Sequence, residues 1–361
     1  MEQGNMSNVH EFILLGFTDN RKLESFVFIL FLMIYVSTLT ANSGLIFITV
    51  NVSKFHNPMY VFLSSLSFTD LCYSNVIIPK MLYDIFSKKK SITFIGCALQ
   101  LYFFIVFICS ETHILSVMAY DRYVAICHPL RYSTIMNRRK CIVFIFLVYV
   151  FAFVISGIHT SCVFTLSFCG PNVINHFFCD MFPLVELSCS DKNINKDIMF
   201  AIIFLFGIFC FLLIMTSYVY IFLTILHIHS TDGRNKALST CNAHLSCVFL
   251  FFGTAFFAYL RPSSTNSLSY DKVVSVFYTT IIPLINPVIY SLRNTEVKRA
   301  IHFASDPKVA EDPIIGFNII EELVSQEKRV AGTSVKIIQM MSTAFSVTAK
   351  TAETMLKFMQ T

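Results

Sequence analysis

Seven runs of mostly apolar residues punctuate the chain, separated by polar breaks: Phe26–Val50, Met59–Ile78, Cys97–Ala119, Ile142–Val163, Ile198–Leu226, Leu238–Leu260 and Val273–Leu292. A bilayer core roughly 30 Å thick needs about 20 apolar residues of helix, and runs of that length are too long for barrel strands. The pattern predicts an all-α membrane protein, a seven-transmembrane helix bundle. Gly253, Pro283 and Pro287 fall inside the last two runs, where neighbouring helices can re-satisfy the freed backbone groups. An odd number of crossings puts the two termini on opposite sides. The breaks are short except for the 34 residues between the fourth and fifth runs.

Composition agrees. Of 361 residues, 55% are hydrophobic and only 14% charged, 39 are Phe, and the mean hydropathy is +0.66. A soluble domain carries about 25% charged residues. The opening "MEQGNMSNVHEF" lacks a charged region followed by a short apolar core, so the first run is expected to act as the insertion signal. The net charge of +5 is diffuse, and no basic tract interleaved with aromatics suggests a nucleic-acid partner. Membrane lipid is the partner that the pattern implies.

Orientation is not settled by Lys and Arg, which divide eleven to ten between the two faces up to residue 302, too even for the positive-inside rule to decide. Asn5-Met6-Ser7 is a glycosylation sequon that would face the secretory lumen; a second, Asn51-Val52-Ser53, lies on the opposite face, so both cannot be used. Cysteines decide. Of 12 Cys, Cys97, Cys169, Cys179 and Cys189 gather on one face, three of them in the long loop. Disulfides persist only on the oxidising side, so this face is expected to be extracellular, with the N-terminus, leaving the C-terminus cytoplasmic. Four cysteines allow three pairings. The loop also spells His176-Phe177-Phe178-Cys179-Asp180, a conceivable soft-metal cluster. A metal would need a free Cys179 thiolate, so a structural loop is the preferred reading and no metal is expected.

Three acidic positions stand out. Asp70 and Glu111 lie deep in the second and third runs, where a carboxylate is costly and marks a functional site by default. Asp121, next to Arg122 and Tyr123, closes the third, where a charge pair can sit at the membrane boundary.

Five segments carry a resemblance: "EFILLGFTD" (11–19), "NPMYVFLSSLSFTDLCYS" (57–74), "MAYDRYVAICHPLRYSTIM" (118–136), "KALSTCNAHL" (236–245) and "PLINPVIYSLRN" (283–294). In this order and spacing they resemble the olfactory receptors, a family of rhodopsin-like (class A) G-protein-coupled receptors, over residues 1 to about 302. Leu238 and Ala243 depart from the family's more usual Phe and Ser, near the inner end of the sixth run. The resemblance implies a bridge between Cys97 and Cys179 and a second between Cys169 and Cys189. It makes Asp121, Arg122 and Tyr123, with Asn286, Pro287 and Tyr290, the switch toward the G protein. It brings Asn42 and Asn286 near Asp70 and Glu111, giving a hard-oxygen pocket suited to a sodium ion or a shared proton; no other cofactor is implied.

The resemblance further implies an odorant receptor of the plasma membrane, crossing it several times. It would bind small volatile organic molecules within the bundle and activate a heterotrimeric stimulatory (olfactory-type) G protein to raise cAMP. The third run offers the stripe Phe104, Ile105, Ile108 and Cys109 to such a ligand. By family position the other walls are Ile202, Phe206, Phe256, Tyr259, Val276 and Thr279, with Tyr259 and Thr279 as hydrogen-bonding anchors. Arg131, Arg138, Arg139 and Lys140 would meet the G protein. The same fold could serve chemoreception outside olfaction. A transporter is the remaining rival, but no internal repeat is visible; an enzyme is not expected, since no nucleophile–base pair emerges.

Three regions follow: an extracellular 1–25, a receptor bundle over 26–302 ending in a short amphipathic helix, and an atypical 303–361. That last stretch is mixed in charge and has no run long enough to span, so it is expected to stay cytoplasmic. A gene-model artefact or a read-through fusion accounts for it better than an evolved regulatory tail.

Overall fold

The computed structural model describes residues 9–17, 21–51, 57–168, 171–189, 192–259 and 267–293. Helices dominate: α1 (Arg21–Asn51), α2 (Pro58–Phe86), α3 (Phe94–Cys127), a short inner α4 (Tyr132–Ile135), α5 (Arg138–Phe164), a loop helix α6 (Met181–Glu186), α7 (Lys192–Leu226) and α8 (Thr231–Tyr259). The last crossing is composite. It runs from α9 (Ser267–Val276) through a π-helical segment (Phe277–Ile281) into α10 (Ile282–Arg293). Among the described residues, six of these helical stretches are long and apolar enough to cross a bilayer, and a shorter apolar stretch, Cys241–Phe257, lies in α8. Together they are the seven expected crossings.

The helices overrun the apolar runs, because a helix need not stop where the lipid does. Thr231–Thr240 is polar yet helical at the start of α8, and α3 continues two turns past Ala119. Local signals set several ends. Pro58 occupies the first turn of α2, where its missing N–H costs nothing. Thr93 caps α3 by accepting from Gly96 N at 3.1 Å, and Asn137 caps α5 by accepting from Lys140 N at 3.0 Å.

Burial follows the lipid. Large apolar side chains such as Phe26, Phe47, Leu205, Phe222 and Phe249 are exposed on the outer surface of the bundle, as lipid-facing residues should be. Polar groups turn inward: Asn42, Ser65, Thr69, Asp70, Ser110 and Thr279 are fully buried. Helix α3 holds the centre, packing on α2, α5 and α7, while α1 lies against α2 and α10.

At the disulfide-bearing end a small sheet forms that the hydrophobic pattern did not foretell. Strand β1 (Glu11–Leu14) pairs antiparallel with β2 (Ser91–Thr93), with Phe12 opposite Ile92, and parallel with β3 (Val173–Ile174), with Ile13 opposite Val173. The fully buried Phe12 meets Phe168 edge-on at 5.4 Å. Two residues past the strand comes Gly16, whose φ of +69° suits a residue without Cβ. Its carbonyl accepts from Lys272 Nζ at 2.7 Å, tying the N-terminal segment to α9.

Candidate ligand cavity and switch

At this end of the bundle a cavity of about 200 Å³ lies between α3, α5, α7 and α8. Its wall is overwhelmingly apolar, as small-molecule sites are. The stripe Phe104, Ile105, Ile108 and Cys109 lines it, joined by Phe206 and Phe256. Two expected wall residues stand elsewhere. Thr279 is fully buried and donates to Ser275 O at 2.6 Å, while Val276 packs against the core; neither lines the cavity. The π-helical register of Phe277–Ile281 takes in Thr279 and shifts it from the position a continuous α-helix would give it, whereas Val276 ends α9 just before that segment. The side chains of Ile202 and Tyr259 lie outside the described residues.

Sequence reasoning missed Thr112, His113, His159 and Asp180, all of which line the cavity. The signal existed for two of them. Carrying the α3 stripe one turn further from Ile108 and Cys109 reaches Thr112 and His113.

The cavity is roofed by the long loop. Cys97 and Cys179 form the expected bridge, and Cys179 N donates to Gln100 Oε1 at 3.0 Å, so the loop is held twice to α3. With its sulfur in that bond, Cys179 has no thiolate to offer a metal. Cys189 is also disulfide-bonded; its expected partner Cys169 lies outside the described residues, as does the sequon at Asn5. His176 faces Ser275 Oγ at 3.2 Å, and Ser275 Oγ meets Tyr278 Oη at 2.8 Å. Burial, with Lys272 adding to it, lowers the His176 imidazole to about 3, so it stays neutral.

Midway down the bundle, Asn286 joins two carboxyl groups. Its Nδ2 donates to Glu111 Oε1 at 3.0 Å and to Asp70 Oδ2 at 3.2 Å, and all three side chains are buried. Asn42 does something different from what was expected. It donates to Thr38 O (3.0 Å) and Pro283 O (2.9 Å), fastening α1 to α10 rather than joining the carboxyl groups by a hydrogen bond. Glu111 Oε2 and Ser110 Oγ are buried with no partner among the described residues. A pair of buried carboxyl groups with one oxygen, Glu111 Oε2, left unsatisfied fits a small cation or a shared proton, since burying both charges uncompensated would be costly.

At the inner end Arg122 donates to Asp121 Oδ2 through Nε at 3.0 Å and through Nη2, and Tyr132 Oη donates to Asp121 Oδ1 at 2.8 Å. Asp121 is fully buried and Arg122 nearly so. A second link crosses nearby. Tyr218 Oη and His244 Nδ1 lie 2.7 Å apart, and His244 Nε2 donates to Leu115 O at 3.1 Å, joining α7, α8 and α3. This bond goes through the other imidazole nitrogen, so Tyr218 is the donor to Nδ1 when the ring is neutral. Tyr123 contacts His128 Nε2 at 3.1 Å; Tyr290 is buried and Pro287 lies within α10. Arg131, Arg139 and Lys140 are exposed around α4 and the start of α5, with Arg138 half-buried among them.

Comparison with known proteins agrees with this architecture. The olfactory receptor family model matches residues 31–305. Olfactory receptor 5G25 of Mus musculus is 49% identical over 301 residues, which is 83% of this chain and 95% of that receptor. Olfactory receptor 5G3 of Homo sapiens is 48% identical over 300 residues, 83% of this chain and 96% of that one. The crystal structure of squid rhodopsin superposes with a TM-score of 0.60 at 17% identity, covering 81% of this chain and 87% of that one; this likeness bears on the fold. With the seven-helix bundle, these matches show a multi-pass membrane receptor and not an enzyme: the chain belongs to the olfactory receptor family.

Proposed function

We propose that this chain is an odorant receptor of the plasma membrane that binds small neutral volatiles in the cavity beneath the loop and activates a stimulatory G protein, raising cAMP. The observation that carries the reading is the cavity itself: an apolar space beside the outer part of α3, the helix whose inner end carries the Asp121–Arg122 pair. A ligand shifts the bundle between two packings only through its differential affinity for them. In the resting packing Asp121 holds Arg122; in the active one Arg122 is released toward the G protein, with Arg131, Arg138, Arg139 and Lys140 supplying further contact. Asn286 links the Asp70 and Glu111 carboxyl groups between the two ends, and a sodium ion or proton bound there favours the resting state.

The test is ligand-evoked cAMP in cells expressing the receptor, measured across an odorant panel beside the Arg122→Ala variant. Wild-type receptor should respond to at least one compound, and the variant should lose the response at comparable surface level. An undiminished response in the variant would count against the switch. Uptake of the compound or a current without cAMP would favour a transporter.

A further inference from the structure

Most polar side chains lining the cavity spend their hydrogen bonds on the protein. Thr112 Oγ1 donates to Ile108 O at 2.8 Å, and His113 Nδ1 donates to Cys109 O at 2.7 Å. Asp180 Oδ1 accepts from Met181 N at 2.7 Å, and its other oxygen faces Tyr278 Oη at 3.5 Å. His159 differs. It is 2% exposed, and its Nδ1 has no hydrogen-bond partner among the described residues. Buried polar atoms are nearly always satisfied, and one that is not calls for an explanation.

Position supplies one. His159 follows Ile155 by one turn on α5, and both line the cavity. We infer that His159 is the hydrogen-bonding anchor of this cavity, and that its ligand is a neutral ring compound carrying one hydroxyl or carbonyl oxygen. This rests on the cavity being the ligand site. Size follows from the volume: a dry cavity of about 150 Å³ accommodates benzene, so about 200 Å³ suits roughly eight to ten heavy atoms. Six phenylalanines in the wall (Phe104, Phe204, Phe206, Phe251, Phe252 and Phe256) favour an aromatic ring met edge to face. Charge is selected against. No Lys or Arg lines the cavity among the described residues, so a carboxylate finds no countercharge and meets Asp180. An ammonium would have to compete for Asp180 with that residue's existing donors.

The experiment uses five probes of similar size: benzyl alcohol, benzaldehyde, ethylbenzene, benzylamine and benzoate. Each is titrated in the cAMP assay, with surface labelling, on wild type, His159→Phe, His159→Asn and Ala255→Leu. Wild type should respond to the alcohol or the aldehyde at lower concentration than to ethylbenzene, and should ignore benzoate. Loss of one hydrogen bond in His159→Phe should raise the effective concentration of the oxygenated probe about tenfold while leaving that of ethylbenzene unchanged. His159→Asn, which keeps a donor and an acceptor, should recover part of the loss; this comparison also decides the matter should the Phe variant fail to reach the surface.

Equal shifts for ethylbenzene and the alcohol in both variants would overturn the anchor, leaving His159 a packing residue. Benzylamine as the most potent probe would transfer the role to Asp180 and overturn it too. Silence of wild type toward all five would overturn the ligand class. The cavity reading fails separately: Ala255→Leu narrows the cavity and should weaken every response, so unchanged responses there would remove the cavity as the ligand site.

Discussion

Replacing Tyr132 with Phe should raise signalling in the absence of any ligand. The Tyr132 hydroxyl donates to Asp121 Oδ1 at 2.8 Å, while Arg122 holds Oδ2 of the same carboxylate. Asp121 is 1% exposed, so its freed oxygen would have little water to turn to. A hydrogen bond to a charged group contributes about 1.5–3 kcal/mol. Tyr132 is only half-buried, which places the bond near the lower figure. If the clamp exists only in the resting packing, its weakening by about 1.4 kcal/mol shifts the resting–active equilibrium about tenfold. An active fraction of roughly 1%, within the usual range for a minor state, would become roughly 10%. The assay is ligand-free cAMP per receptor at the surface, counted through an extracellular epitope tag. The Phe variant keeps the ring, so packing is nearly preserved. Basal cAMP per surface receptor that is unchanged or lower would refute the clamp as a restraint on the resting state.

Two further outcomes follow from the buried polar groups. Asp70→Asn should abolish any dependence of basal cAMP on sodium, because it removes one of the two carboxyl groups that Asn286 joins; sodium dependence persisting in the variant would take the ion elsewhere. The roof should loosen in acid. His176 sits at about 3 in the folded loop because of burial and Lys272, against an ordinary value near 6.5 when the loop is detached. The detached loop therefore binds the proton first. Stability is complete above pH 6.5 and is lost as pH falls below it, by about 1.4 kcal/mol at pH 5.5. Hydrogen exchange across residues 171–180 at pH 7.4 and 5.5 should show the loss in wild type and not in His176→Phe.

The seven crossings were legible because each carries its own apolar run, a local property. Their ends were not: the polar start of α8 and the last two turns of α3 are helical beyond the apolar runs, where hydropathy falls silent. Strand β1 is four residues long and pairs with segments about 80 and 160 positions away, so no local pattern could announce it. The α3 face of the cavity could be read from helical spacing. Thr279 could not, because a π-helical segment resets the register where it lies; Val276 ends α9 just before that segment. His159 escaped for another reason. A single histidine in an apolar helix usually finds a partner in the core, and only the structure shows that this one leaves a nitrogen unused.

The most direct test of ligand binding in the cavity is the concentration–response curve of Gly207→Leu. Gly207 lines the cavity, and a Cβ added there meets no atom within 4 Å, so the new side chain can occupy ligand space without displacing backbone. Using whichever odorant activates wild type, the expected result is a response reduced by tenfold or more in potency, or abolished, with surface level and basal cAMP retained. A curve superimposable on wild type would contradict binding in this cavity.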